Sequence, residues 1–223
     1  MNNVARFTVI AVLFVVSQAV TFSQSKPSAA TYITDEEVKA VNATPGIDRT
    51  IKVVDIGNEN FAVGIIHRAA PAAPAARGAG AGAGAGAAAG AGRAAAPAPV
   101  PCGEQASTPP AGAIPGGIAH DSQTEGYVIV SGTGTLITGG RIVNGNKSAP
   151  DAAVTKELNG PSCSGLIVGP DIVKRAVKTG DIIIIPAGVP HGWTDITDHV
   201  DYLSLRPSDH VLQAGYVHPA IKK

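Results

Sequence analysis

The chain has little of what most readily marks a function. Aromatic residues make up 4% of its 223 positions, so one modest core is expected rather than several domains. It has no surplus of either charge: 17 Lys and Arg stand against 17 Asp and Glu. The two signs are mixed along the sequence, which leaves no basic patch for nucleic acid and no acidic tail for a polycation. A small or neutral ligand fits better. Cysteines number 2, and neither Cys102 nor Cys163 has a second Cys or a His at ligand spacing, which argues against a thiolate metal site. No apolar run reaches the roughly 20 residues that span a bilayer as a helix.

What the amino terminus does carry is a shorter run. Met1 to Arg6 bears one positive charge and leads into Phe7–Val16, after which polar Ser17, Gln18 and Thr21 intervene. This is the layout of a signal peptide over residues 1–23, with cleavage near Ala19 or Ser23. It predicts export to the periplasm or outside the cell, with no stable membrane span after cleavage; an uncleaved anchor is the alternative. In such a compartment disulfides persist. Cys102 and Cys163 are therefore either one bridge, closing a loop worth about 4 kcal/mol on the chain-entropy model, or two unpaired thiols.

Residues 24–49 form an N-terminal segment. Within it Thr34-Asp35-Glu36-Glu37 reads as a capping box that opens a short helix through about Val41, stopped by Asn42 to Pro45. Residues 50–68 are rich in Ile and Val around Gly57-Asn58-Glu59-Asn60, the pattern of two strands joined by a turn. Residues 69–101 are almost entirely Ala, Gly and Pro, with Arg77 and Arg93 the only charges. No large side chain there can offset the entropy of ordering, so the stretch reads as a disordered, low-complexity insertion. Its Gly84-Ala85-Gly86 is a chance match to a nucleotide loop, since no strand leads into it.

Beyond Glu125 the strand signals return. Tyr127–Val130, Thr135–Thr138, Leu166–Val168, Ile172–Val177, Ile182–Ile185 and Tyr202–Leu205 are short apolar runs punctuated by Gly and Pro. Many short strands at close spacing make the chain all-β, a sandwich or a barrel over residues 102–207 with a tail at 208–223. Closing the sheet would remove its exposed edges.

Two segments stand out from generic β sequence. The first runs from Gly112 through His120 and Glu125 to Gly132, where His120 ends a Gly- and Pro-rich loop and Glu125 starts a strand. Alternation then turns Glu125, Tyr127 and Ile129 inward, with Val128 and Val130 outward. The second runs from Gly180 through Pro186, Gly188 and His191 to Asp195, where Pro186 to Pro190 makes a rigid turn presenting His191. Two imidazoles and one carboxylate form a facial set with open coordination positions, suited to Fe(II) and able to hold Mn, Ni, Zn or Cu.

These segments resemble the paired motifs of the cupin superfamily. Gly112, His120, Glu125 and Gly132 fall on the spacing of the first motif, with Ile118 where the family has another His; Gly180, Pro186, Gly188 and His191 match the second, with Asp195 in place of Asn. The likeness covers about Thr50 to Pro207 outside the insertion. It implies a single-domain, jelly-roll β-barrel with a short N-terminal helix, holding a divalent metal through His120, Glu125 and His191. Because Ile118 cannot coordinate, His67 on the early strand is a candidate further ligand. Ile118, Gln123, Tyr127 and Trp193 are candidate pocket residues, and Asp195 a candidate partner that orients His191.

Fold alone does not select a reaction. The leading expectation is a metal-dependent enzyme of the dioxygenase type acting on a small organic molecule, or an isomerase. The alternative is a non-catalytic cupin with a degenerate metal site that binds a small, sugar-like molecule. A homodimer packed through apolar outer strands is compatible with either.

Overall fold

The structure, a computed structural model, describes residues 26–71, 99–208 and 210–221. The expected signal peptide and nearly all of the expected disordered insertion lie outside the described residues. One helix, α1 (Asp35–Asn42), precedes the strands, and its capping box is formed: the Glu37 amide donates to the Thr34 hydroxyl at 3.3 Å and the Thr34 amide to the Glu37 carboxylate at 3.1 Å. Val41 fixes the helix against Ile51 and Ile65. The strands that follow are β1 (Asp48–Asp55), β2 (Asn60–Ala69), β3 (Pro101–Cys102), β4 (Ile114–His120), β5 (Glu125–Thr138) and β6 (Arg141–Lys147). After a π-helical turn (Val154–Asn159) come β7 (Ser162–Val168), β8 (Val173–Lys178), β9 (Ile182–Ile185), β10 (His191–Thr194) and β11 (His199–Ser208).

Strand β5 organises the architecture. Its first half pairs with β11 on one side and β9 on the other; its second half pairs with β10 and β8. One sheet therefore runs β1-β2-β11-β5-β9 and the other β3-β6-β7-β4-β10-β5-β8. The crossing point is a register shift beside Ser131 and Gly132. Gly132 sits at φ +71°, and a Cβ there would meet the His199 carbonyl oxygen at 2.0 Å, so only glycine lets β5 and β11 approach where the strand changes sheets. The sheets face each other around one interior, filled from one side by Ile66, Tyr127 and Tyr202 and from the other by Leu136, Val177 and Trp193.

This is the all-β architecture that the sequence implied, with three differences. The sheet is not closed: β1 and β3 end the path without pairing to each other. The edges are managed in other ways, since β3 has two residues and β8 carries Lys174, Arg175 and Lys178. Second, Ile114–His120 is a strand and not a loop, because β7 and β10 supply the backbone partners that its Gly and Pro content made improbable. Third, the two runs at 127–130 and 135–138 are one bent strand.

Candidate metal centre

Three strand ends meet at one end of the interior. Strand β4 finishes at His120, β5 starts at Glu125 and β10 starts at His191. The Pro186 to Pro190 turn is tied down by the Gly188 amide, which donates to the His120 carbonyl at 2.7 Å, and by the Gly139 amide, which donates to the Pro190 carbonyl at 2.9 Å. All three side chains are buried, and their ligand atoms lie within 4.8 Å of one another. Both Nε2 atoms approach one carboxylate oxygen, Glu125 Oε2: His120 at 3.3 Å and His191 at 3.1 Å.

The chemistry of these contacts fits a cation. His191 Nδ1 lies 3.0 Å from the Val189 carbonyl, which can only accept, so Nδ1 carries a proton and Nε2 is the nitrogen turned toward Glu125. A lone pair facing a carboxylate oxygen is repulsive unless a proton or a metal ion lies between them. Ligands about 2.1 Å from a shared ion and at right angles to one another stand about 3.0 Å apart, close to the separations found here. The buried group His120, Glu125 and His191 can therefore hold a divalent metal.

The other carboxylate oxygen is held elsewhere. Glu125 Oε1 accepts from Arg206 Nε at 3.0 Å and from the Ser204 hydroxyl at 3.0 Å, while the Tyr127 hydroxyl donates to Oε2 at 2.6 Å. Arg206 is 1% exposed and also donates to Asp48 at 2.6 Å and to the Leu158 carbonyl of the π-helical turn at 2.9 Å. Burial alone pushes the Glu125 carboxyl up, but the Arg206 guanidinium and, in the metal-free chain, hydrogen bonds from His120 and His191 outweigh it and hold the group well below the usual carboxylate range. Burial and the Glu125 charge push the Tyr127 hydroxyl far up, so it is a neutral donor.

A depressed folded pKa contributes stability above the unfolded carboxylate value, and that contribution is lost as pH falls through the folded value. Metal-stripped Glu125→Gln protein is thus expected to be less stable than wild type at pH 7, with the gap shrinking steadily below about pH 4. Urea midpoints across that range measure it. A gap independent of pH would mean that folding leaves the Glu125 carboxyl unshifted.

The remaining expected site residues separate. Tyr127 touches the centre directly. Ile118 is half-buried on the same face of β4 as His120 and is paired across to His191, so an apolar side chain occupies the position from which a further ligand would reach. Gln123 is buried beneath the π-helical turn, its amide 3.4 Å from the Leu158 carbonyl and its own carbonyl oxygen without a partner among the described residues. Trp193 is partly buried and stacks on Tyr202 at 5.2 Å between ring centres.

Two expectations are corrected. His67 does not join the centre: strand alternation turns Ile66 and Arg68 inward and His67 outward, where Nδ1 bonds Asp201 at 2.6 Å and the ring stacks on His199. Asp195 does not orient His191; it accepts from the Thr194 hydroxyl, and the Val189 carbonyl takes the orienting role. The sequence reading missed Arg206, Ser204 and Asp48. The signal existed in the buried alternation Val200, Tyr202, Ser204, Arg206, Ser208, which places a guanidinium on the interior face of β11. Cys102 and Cys163 form a disulfide, a bond that persists in oxidising compartments.

No protein-family model and no curated protein matches the chain. Solved structures similar to it include an uncharacterized conserved protein with a double-stranded β-helix domain from Klebsiella pneumoniae, at 16% identity over 82% of this chain and 93% of that one, with a TM-score of 0.34. A recombinant oxalate oxidase in complex with glycolate gives 13% identity over 84% of this chain and 60% of that one, with a TM-score of 0.31. Peruvianin-I, a cysteine peptidase from Thevetia peruviana latex, gives 9% identity over 80% and 77%, with a TM-score of 0.30. Superpositions this loose leave the chemistry to be read from the residues themselves.

Proposed function

We propose that this cupin-type barrel is an exported metalloprotein that binds one divalent ion through His120, Glu125 and His191 and acts on a small organic molecule, with chemistry of the dioxygenase type. The carrying observation is that two imidazole Nε2 atoms converge on a single carboxylate oxygen. A bound divalent ion supplies Lewis acidity and, if redox-active, access to dioxygen. The protein's own groups do the rest. Arg206 and Ser204 hold Glu125 Oε1 so that Oε2 faces the histidines, and Tyr127 fixes Oε2 in the same plane of approach. The turn over residues 154–159 covers this end of the interior and keeps water from it, held by Arg206 and by the Thr50 hydroxyl, which donates to the Glu157 carbonyl. The unpartnered Gln123 carbonyl oxygen offers an acceptor to a bound molecule.

Export is supported by the N-terminal apolar run and by the disulfide. No helix among the described residues is long and apolar enough to cross a membrane. Ile182 and Ile184, both largely exposed on edge strand β9, favour pairing of two copies.

Elemental analysis of protein recovered from the export compartment tests the reading. We expect about one Fe, Mn, Ni or Zn per chain in wild type and none in His191→Ala, with oxygen uptake on candidate substrates following the loaded protein. Metal-free wild type that resists loading would overturn it. Ile118, and an Arg206 that already neutralises Glu125, favour the second reading, a barrel that binds a small molecule without metal or catalysis.

A further inference from the structure

Away from the metal centre a second guanidinium, that of half-buried Arg68, edges the interior, and no anion among the described residues bonds it. Arg68 follows Ile66 by two residues on β2 and shares its inward face; its Nε–H donates to the Tyr202 hydroxyl at 3.0 Å. No ion pair among the described residues includes it. Asp48 acts on it through space, but that carboxylate is bonded to Arg206 at 2.6 Å. Tyr202 is no counter-ion either, because burial pushes its hydroxyl up and keeps it neutral. Outside the described residues the sequence has one side-chain carboxylate, Asp209. It follows Ser208 in sequence, whereas the residue paired with Arg68 is Val200, at the start of β11.

A second donor is stranded nearby. Trp193 Nε1 is buried without an acceptor among the described residues, and the Trp193 ring stacks on Tyr202. Tyr202 therefore bears a guanidinium at its hydroxyl and an indole on its face. With Nε occupied, the free edge of Arg68 presents Nη1 and Nη2, whose spacing matches the two oxygens of a carboxylate. Arg68 is half-buried, so this edge can be reached from solvent, and a carboxylate docking there would pair a guanidinium that no anion among the described residues bonds.

We propose that this end of the barrel is a binding site for a small carboxylate, held end-on by Arg68 beside the Trp193 indole N–H. The site is distinct from the metal centre. Tyr202 packs on Tyr127 at 4.4 Å, and the Tyr127 hydroxyl bonds Glu125, so two rings separate the carboxylate from the histidines. It goes beyond the metal reading and does not depend on it.

Trp193 is the single Trp of the chain, so its emission reports on the site. Metal-stripped and metal-loaded protein are titrated with sodium acetate, and in parallel with inorganic phosphate, at constant ionic strength in chloride. We expect a saturable emission change with acetate in both metal states and weaker binding of phosphate. The dissociation constant should rise at least tenfold in Arg68→Gln and by less in Arg68→Lys, which keeps the charge but loses the fork; circular dichroism confirms that each variant is folded. Absence of a saturable change in stripped wild type, unchanged affinity in Arg68→Gln, or tighter binding of phosphate than of acetate would each overturn the proposal. A change seen only with metal, and lost in His191→Ala, would move the acetate to the metal centre: this site would fall and the metal reading would stand. Arg68-dependent binding by protein that takes up no metal would do the reverse.

Discussion

An Arg206→Met variant is expected to lose about 3–5 kcal/mol of stability at neutral pH, the usual cost of removing one partner from a buried ion pair. The magnitude follows from what the guanidinium joins. Arg206 bonds Glu125 on β5, Asp48 on β1, Ser204 on its own strand and the Leu158 carbonyl over the barrel end. Methionine fills much of the volume but leaves buried Glu125 with no cation bonded to it and half-buried Asp48 without its ion-pair partner. The folded pKa of Glu125 would then rise above its unfolded value, so its contribution would be present at low pH and lost as pH increases, the reverse of wild type. Divalent metal should raise the melting temperature of Arg206→Met by more than that of wild type, because an ion at His120, Glu125 and His191 restores positive charge beside Glu125. A variant that melts with wild type would contradict the central role given to this guanidinium.

Loss of the disulfide is expected to have an effect of similar size with a different signature. Cys102 and Cys163 are 61 residues apart in sequence, and the double Cys→Ser variant should lose about 4 kcal/mol on the chain-entropy model. The bridge joins β3, the two-residue edge strand, to β7, so it also fixes the point where the chain returns to the sheet after residues 72–98. Cys163 pairs with Ala119, next to His120, but its side chain belongs to the separate cluster of Ile114, Ile137, Ile142 and Ile167, so metal content should be unchanged. Urea unfolding of the variant beside reduced and oxidised wild type measures the loss. A difference below about 1 kcal/mol would mean that the reduced chain is already constrained by other contacts.

Local chemistry was the part of this protein legible in sequence. Thr34 and Glu37 announced α1 because a capping box needs only four consecutive residues. His120, Glu125 and His191 announced the centre because their motifs fix each side chain relative to a Gly or Pro turn a few residues away. The direction of His67 was not legible, since a one-residue change of register sends a strand side chain to the opposite face. Strands β4 and β6 were hidden by Gly, Pro and Asn, whose poor strand propensity is overridden by partners on β7 and β10. Arg206 was hidden for a related reason: what makes it part of the site is a pairing of β11 with β5 that no short window contains.

That pairing also sets an order of events in the making of the protein. Glu125 and Arg206 are 81 residues apart, and Asp48 and Arg206 are 158 apart. A ribosome releases Asp48 and Glu125 long before the residue that balances their charge, and both histidines precede it as well. Contacts at such separation form late, because the entropy of closing long loops must be overcome first. Both motifs can therefore be complete on a nascent chain that still cannot bury them, and only synthesis through β11 makes the barrel interior electrically tolerable.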